Sequence, residues 1–184
     1  MASPINCLSI LVIPLLVTSL SYQVSVGQKL DDAYLRSLCQ KTTDLDFCFN
    51  TLKADPRTFK ASADLNHLGL VTIAILIDTV QVEVDEIPGI LKKLGDRVDK
   101  SRMENCQYDY NSALKILRDA YAAFSPQNYN GAKSLIINAG NGLAGCDQSY
   151  KDPPARTSPI ADALTKVLKK CNIAVVVFNA IIGW

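Results

Sequence analysis

From residue 30 onward, apolar positions recur every three or four residues, and polar breaks between them divide the chain into helices. Leu30 to Lys53 reads as a short amphipathic helical hairpin with the polar turn Gln40 to Asp46 between its arms. Asp55-Pro56-Arg57 breaks the pattern and serves as a connector. From Asp64, an N-cap residue, a long apolar segment runs to Glu86, where Pro88-Gly89 is expected to bend or end it. Its β-branched stretches, Val71-Thr72-Ile73 and Val80 to Val84, would suit a strand, but its length and N-cap favour helix. A charged link, Gly95 to Lys100, leads to Ser101, which with Glu104 forms a capping-box signature for the next helix. There Cys106, Tyr110, Ala113, Leu117, Ala120 and Phe124 form the buried stripe. Tyr108, Ser112, Lys115 and Asp119 lie on the far side, a polar face open to solvent or a partner.

The following helix, about Tyr129 to Tyr150, contains Gly131, Gly140, Gly142 and Gly145. Each glycine costs a helix interior up to about 1 kcal/mol relative to alanine, so close backbone approach is the expected compensation. After Pro153-Pro154 and Ser158-Pro159, the last helix places Ala161, Leu164, Leu168, Cys171, Val175, Phe178 and Ile182 at alternating steps of three and four, a bundle seam that buries Cys171. The pattern predicts an all-α fold, an up-and-down four-helix bundle over 64–184 preceded by a helical hairpin over 28–60.

The amino-terminal 27 residues differ in kind. They carry no charged side chain, and an apolar run from Leu8 to Leu20, interrupted by Pro14, precedes the small-residue stretch Ser25-Val26-Gly27. This reads as a signal peptide whose apolar core is too short to span a bilayer, cleaved after Gly27 with Ser21 as a competing site. Cys7 leaves with it, and 157 of the 184 residues remain as one domain at residues 28–184. In an oxidising compartment, disulfides are the default use of the five remaining thiols. Cys106 and Cys146 each lie twenty residues from position 126, the turn between two antiparallel helices, so they face each other and read as a staple. Cys39 and Cys48 bracket the hairpin turn. Cys171 is left as a buried, inert free thiol. The apolar stretch from Ile173 to Trp184 lacks the polar spacer of a removable lipid-anchor signal and belongs to the last helix.

Nineteen basic and eighteen acidic residues nearly cancel, which argues against nucleic acid or an anionic membrane as partner. No Asn-x-Ser/Thr sequon occurs. Gly140-Asn141-Gly142-Leu143-Ala144-Gly145 matches GxGxxG, with Asp162 downstream where a ribose contact would fall, but no strand precedes the glycines. Helix packing is the better account of them. A single histidine, His67, excludes a histidine-rich metal site and stands among leucines with no nucleophile beside it. Asp85, Glu86, Asp96, Asp99 and Asp109 are interleaved with lysines and arginines as on a solvated face. No active site, metal site or cofactor motif emerges.

Several segments resemble the plant invertase and pectin methylesterase inhibitors. They are Cys39-Gln-Lys-Thr42 through Cys48-Phe-Asn-Thr-Leu52 to Asp55-Pro56-Arg57; Asp64-Leu65 with Leu68-Gly69-Leu70; Cys106 with Tyr110 and Ala113; Asn128-Tyr129-Asn130; and Ala144-Gly145-Cys146-Asp147 with Tyr150. The resemblance covers essentially the whole chain after the leader. It implies a hairpin on a four-helix bundle with first and second, and third and fourth, cysteines bridged. It implies a non-catalytic, secreted, apoplastic protein that blocks a carbohydrate enzyme of the wall or vacuole in a one-to-one complex, itself a monomer with no cofactor.

The final helix, with Leu168-Lys169-Lys170-Cys171-Asn172-Ile173, looks more like the pectin methylesterase branch, and Pro126-Gln127-Asn128 stands where invertase inhibitors often carry Pro-Lys-Phe. That branch is expected to dock through its second and third bundle helices at mildly acidic pH. Carried onto this chain, the contacts fall at Tyr108, Ser112, Lys115, Gly145 and Gln148, where acidic side chains are usual and this chain offers a tyrosine, a hydroxyl, an amine and an amide. Acid invertase is the alternative target, and a secreted helical protein with no enzyme target the second alternative.

Overall fold

A computed structural model describes residues 30–60, 64–125 and 127–183; the leader and its cleavage site lie outside them. Six helices, with no strand among the described residues, make the fold all-α: α1 (Asp32–Cys39), α2 (Leu45–Ala54), α3 (Leu65–Leu91), α4 (Arg97–Phe124), α5 (Tyr129–Lys151) and α6 (Ala161–Ile182). Local chemistry starts five of them. Asp31, Asp44, Asp64, Asp96 and Asn128 each accept a hydrogen bond from a backbone N–H of the first turn, worth about 1 kcal/mol apiece.

α3 packs on α4, α4 on α5, α5 on α6 and α6 back on α3, so the four long helices close a ring in up-and-down order. Its core holds Leu76 and Ile87 from α3, Tyr110 and Leu117 from α4, Ile136 and Leu143 from α5, and Leu164 and Phe178 from α6. α1 and α2 form the hairpin, whose Leu35, Leu38, Phe49 and Leu52 make a second core with Leu68, Val71 and Ile75 of α3 and Ile173, Val176 and Val177 of α6. Polar contacts fix its seat. Asn172 Oδ1 accepts from the Thr43 N–H at 3.0 Å, and Lys169 Nζ lies 2.8 Å from Asp44 Oδ2. His67 serves the same junction, its Nε2 2.7 Å from the Arg57 carbonyl oxygen.

Four sequence expectations need correction. Pro88 does not end α3, which continues to Leu91. The proline forfeits one backbone hydrogen bond, to the Val84 carbonyl, while the turn around it buries Ile87 and packs Ile90 and Leu91 on the core. Ser101 and Glu104 are not a cap. Asp96 starts α4 a turn earlier because its Oδ1 accepts from both Val98 N (2.8 Å) and Asp99 N (3.0 Å).

The seam of α6 facing the bundle includes the expected Leu164, Leu168, Cys171, Val175 and Phe178, the second and fourth only partly buried, but it is broadened by the buried Val167 and Ala174, and the hairpin covers the helix from a second side. Close approach does not explain most glycines of α5, since a Cβ at Gly142 would meet nothing within 4 Å and one at Gly140 only ordinary contact with Cys171. At Gly131 a Cβ would press on the side chain of Asn128, the α5 cap, which would have to shift to admit it. The close approach sits at Gly69 on α3, where a Cβ would lie 2.7 Å from Ile181 Cδ1 and 2.9 Å from Phe124 Cε2.

Opposite outcomes at these two helix positions are therefore expected. Gly142→Ala should stabilise by about 0.5–1 kcal/mol through backbone entropy. Gly69→Ala gains the same term but overpacks against Ile181 and Phe124, for a net loss of about 1 kcal/mol. Denaturant melts of the two variants check this; shifts of the same sign would contradict it.

Candidate functional site

Tyr108, Ser112 and Lys115 follow one another by four and three residues along α4, so they stand in one row. Tyr108 is 75% exposed, unusual for an aromatic side chain, and Lys115 is exposed and pairs only with its neighbour Asp119 at 3.2 Å. That exposed i,i+4 pair is weak and easily given up to a partner. Ser112 is half-buried between them. On α5, Gly145 and Gln148 are both exposed, and Gln148 Nε2 donates to Asp152 Oδ1 at 3.0 Å.

What brings the two rows together is covalent. Cys106 and Cys146 are bonded, with Cα atoms 4.8 Å apart, and both are fully buried. Tyr108 lies two residues after one cysteine, and Gly145 and Gln148 lie within two residues of the other. The bridge thereby sets the height of the α4 row against the α5 row. The start of α4 is held separately. The guanidinium of Arg102, only 8% exposed, donates to the carbonyls of Asp152 (2.9 Å) and Pro154 (3.0 Å), and Arg156 pairs with Asp96 (2.8 Å) and Asp99 (3.0 Å). Cys39 and Cys48 are bonded in the hairpin, away from this face. Cys171 is a buried free thiol whose pKa burial pushes up to about 12.

Two features of the face were not singled out by sequence reasoning. Asp109 is not a freely solvated acid: it reaches over the α4–α5 seam, its Oδ2 3.7 Å from where a Cβ on Gly145 would sit, and burial holds its carboxyl above the usual range. A sequence signal did exist for the second. Between Lys133 and Asp147, α5 carries no charge, and Ile137, Asn141, Ala144 and Gln148 recur at steps of four, three and four as an exposed, uncharged row. Such a row loses little on desolvation. Protein interfaces are similarly depleted of charge at their centres and rich in tyrosine.

No group of three or more His, Cys, Asp or Glu side chains that could hold a metal ion occurs among the described residues. The GxGxxG match lies within the second half of α5, far from the helix start where a pyrophosphate would need free N–H groups.

Known proteins resemble this chain in sequence and in fold. Residues 33–177 match the family described as plant invertase/pectin methylesterase inhibitor. A pectinesterase inhibitor from Actinidia deliciosa is 28% identical over 175 residues, covering 95% of this chain and 92% of that protein. Pectinesterase inhibitor 5 of Arabidopsis thaliana is 26% identical over 146 residues, covering 79% and 81%. Among solved structures, a mutant form of a pectin methylesterase inhibitor from Arabidopsis superposes with a TM-score of 0.69 at 22% identity, covering 79% of this chain and 95% of that one, a likeness of fold.

Proposed function

The chain belongs to the plant invertase/pectin methylesterase inhibitor family, whose members are inhibitor proteins and not catalysts, and from that premise we propose that it inhibits a pectin methylesterase. The α4–α5 face, with Tyr108, Ser112 and Lys115 on one helix and Gly145 and Gln148 on the other, covers the enzyme's substrate groove in a one-to-one complex. The single observation that carries this is the clamped pair of exposed rows: an aromatic-bearing polar row and an uncharged row, fixed in register by the Cys106–Cys146 bridge. A strip as long as α4, about 40 Å at 1.5 Å per residue, and two helices wide offers about 800 Å², the share one partner gives to a standard stable interface. Inhibition is steric: the face supplies bulk and hydrogen bonds that fill the groove.

In this reading residues 1–27 direct export and are removed, and the mature monomer at 28–184 works in the apoplast, where its target modifies wall pectin. The pectin methylesterase assignment rests on relatives named as pectinesterase inhibitors. Titrating the mature protein against a purified plant pectin methylesterase and a purified acid invertase at pH 5 to 6 tests it. Stoichiometric loss of the esterase activity alone is expected. Loss of the invertase activity alone would overturn the target, and loss of neither would overturn the inhibitory role.

A further inference from the structure

A second recess lies across the bundle from that face, where the Asp55-Pro56-Arg57 turn overhangs the seam between α3 and α6. It is a cleft of about 350 Å³, in the range that holds a small molecule, and it mixes charges with hydroxyls over an apolar patch at Ile75. Its two cations are used differently. Arg57 is engaged on both sides, donating to Asp55 Oδ1 (2.9 Å) and Oδ2 (2.6 Å) and to Asp78 Oδ2 (2.9 Å). Lys170 has no such partner.

The half-buried Lys170 ammonium donates to Thr79 Oγ1 at 2.7 Å, and that hydroxyl spends its own proton on the Ile75 carbonyl at 2.6 Å. None of the ion pairs among the described residues includes Lys170, and Asp78 and Glu83 act on it only at longer range. Burial, with Lys166 nearby, pushes its pKa down, the mark of a cation short of compensation. An ammonium has three donors, and the bond to Thr79 uses one, which leaves two for a ligand or solvent. Around it, Asp55, Asp78 and the Thr51 hydroxyl offer acceptors, since each carboxylate keeps lone pairs beyond those taken by Arg57.

We propose that this cleft binds a sugar acid, its carboxylate on Lys170 and its hydroxyls donating to Asp55 and Asp78. A neutral sugar lacks the group Lys170 needs, and a simple carboxylate lacks the hydroxyls the aspartates would receive. Because the α3–α6 seam lies opposite α4 and α5 in the ring, such a ligand would bind without displacing a docked enzyme. The choice of a uronic acid as probe rests on the pectin-related reading above; the cleft itself does not.

Calorimetric titration of the mature protein, with no enzyme present, uses D-galacturonate, D-galactose and acetate as separate probes. Galacturonate should bind at least tenfold more tightly than either of the others, and Lys170→Met should lose that binding at least tenfold with its melting temperature and esterase inhibition unchanged. Amide chemical-shift mapping on the unaltered protein provides a readout that does not depend on the variant, with shifts expected at residues 51–57, 75–79 and 166–170. No binding of galacturonate, equal binding of galactose, shifts confined to other regions, or full binding by a folded Lys170→Met variant would each overturn the site. A failure here leaves the esterase titration untouched, so the two readings fall separately.

Discussion

Replacing Tyr108 and Lys115 together by alanine should weaken inhibition of pectin methylesterase about 100-fold or more. Both side chains are exposed in the α4 row, and neither belongs to the core. Truncating an aromatic anchor and a charged group at the middle of a covered face removes contacts that carry about 2 kcal/mol or more each. About 2.7 kcal/mol corresponds to a hundredfold. Helical circular dichroism should be unchanged, because alanine is the best helix former and the lost Lys115–Asp119 pair, exposed and one turn apart, is worth only about 0.3–0.5 kcal/mol. Val82→Glu, at an exposed position on α3 and outside the two contact rows, should leave inhibition intact and serves as the control. Equal inhibition by the double variant and the parent protein would place the contact elsewhere.

Removing the α4–α5 bridge should have the largest effect on stability. The Cys106–Cys146 bond closes a loop of 40 residues, for which the chain-entropy account gives about 4 kcal/mol. For a chain of this size that is a fall of roughly 8 to 16 °C in melting temperature for the Cys106→Ala, Cys146→Ala pair. Loss of the Cys39–Cys48 bond, with a separation of nine, should cost about 2.5 kcal/mol. The two pairs should also differ in function. Only the first sets Tyr108 against Gly145, so inhibition by protein that is still folded should drop for that pair and much less for the hairpin pair. Scanning calorimetry and inhibition assays on both double variants separate these effects.

The parts of this fold that could be read from sequence were those written locally. The stripe from Cys106 to Phe124 needed only helical periodicity, and all six of its predicted members are buried. The hairpin was legible because a polar turn between two cysteines leaves its arms few alternatives, and the Cys106–Cys146 pairing followed from symmetry about a turn. Where the signal was local but duplicated, the reading slipped. Asp96 and Ser101 are both acceptable caps, and the chain uses the earlier one because it satisfies two N–H groups.

The rest was written between distant residues. Gly69 is fixed by Phe124 and Ile181, more than fifty residues away, so no window around it reveals its role. Pro88 looks like a terminator until Ile87 is seen in the core with Ile90 and Leu91 packed against it. The second buried side of α6 exists only because α1 and α2 lie on it. The candidate site divides the same way. Tyr108, Ser112 and Lys115 were visible as a polar row, Gly145 and Gln148 came from family resemblance, and the half-burial of Asp109 depends on α5 lying beside it.

The central claim is that the α4–α5 face is what the enzyme covers. Oxidative footprinting of the mature protein, alone and in stoichiometric complex with pectin methylesterase, addresses it through side chains already exposed: Tyr108 on the face, and Phe59 beside the hairpin as an internal reference. Labelling of Tyr108 should fall severalfold on complex formation while labelling of Phe59 stays constant. Protection of Phe59 with Tyr108 labelled as before would contradict the account.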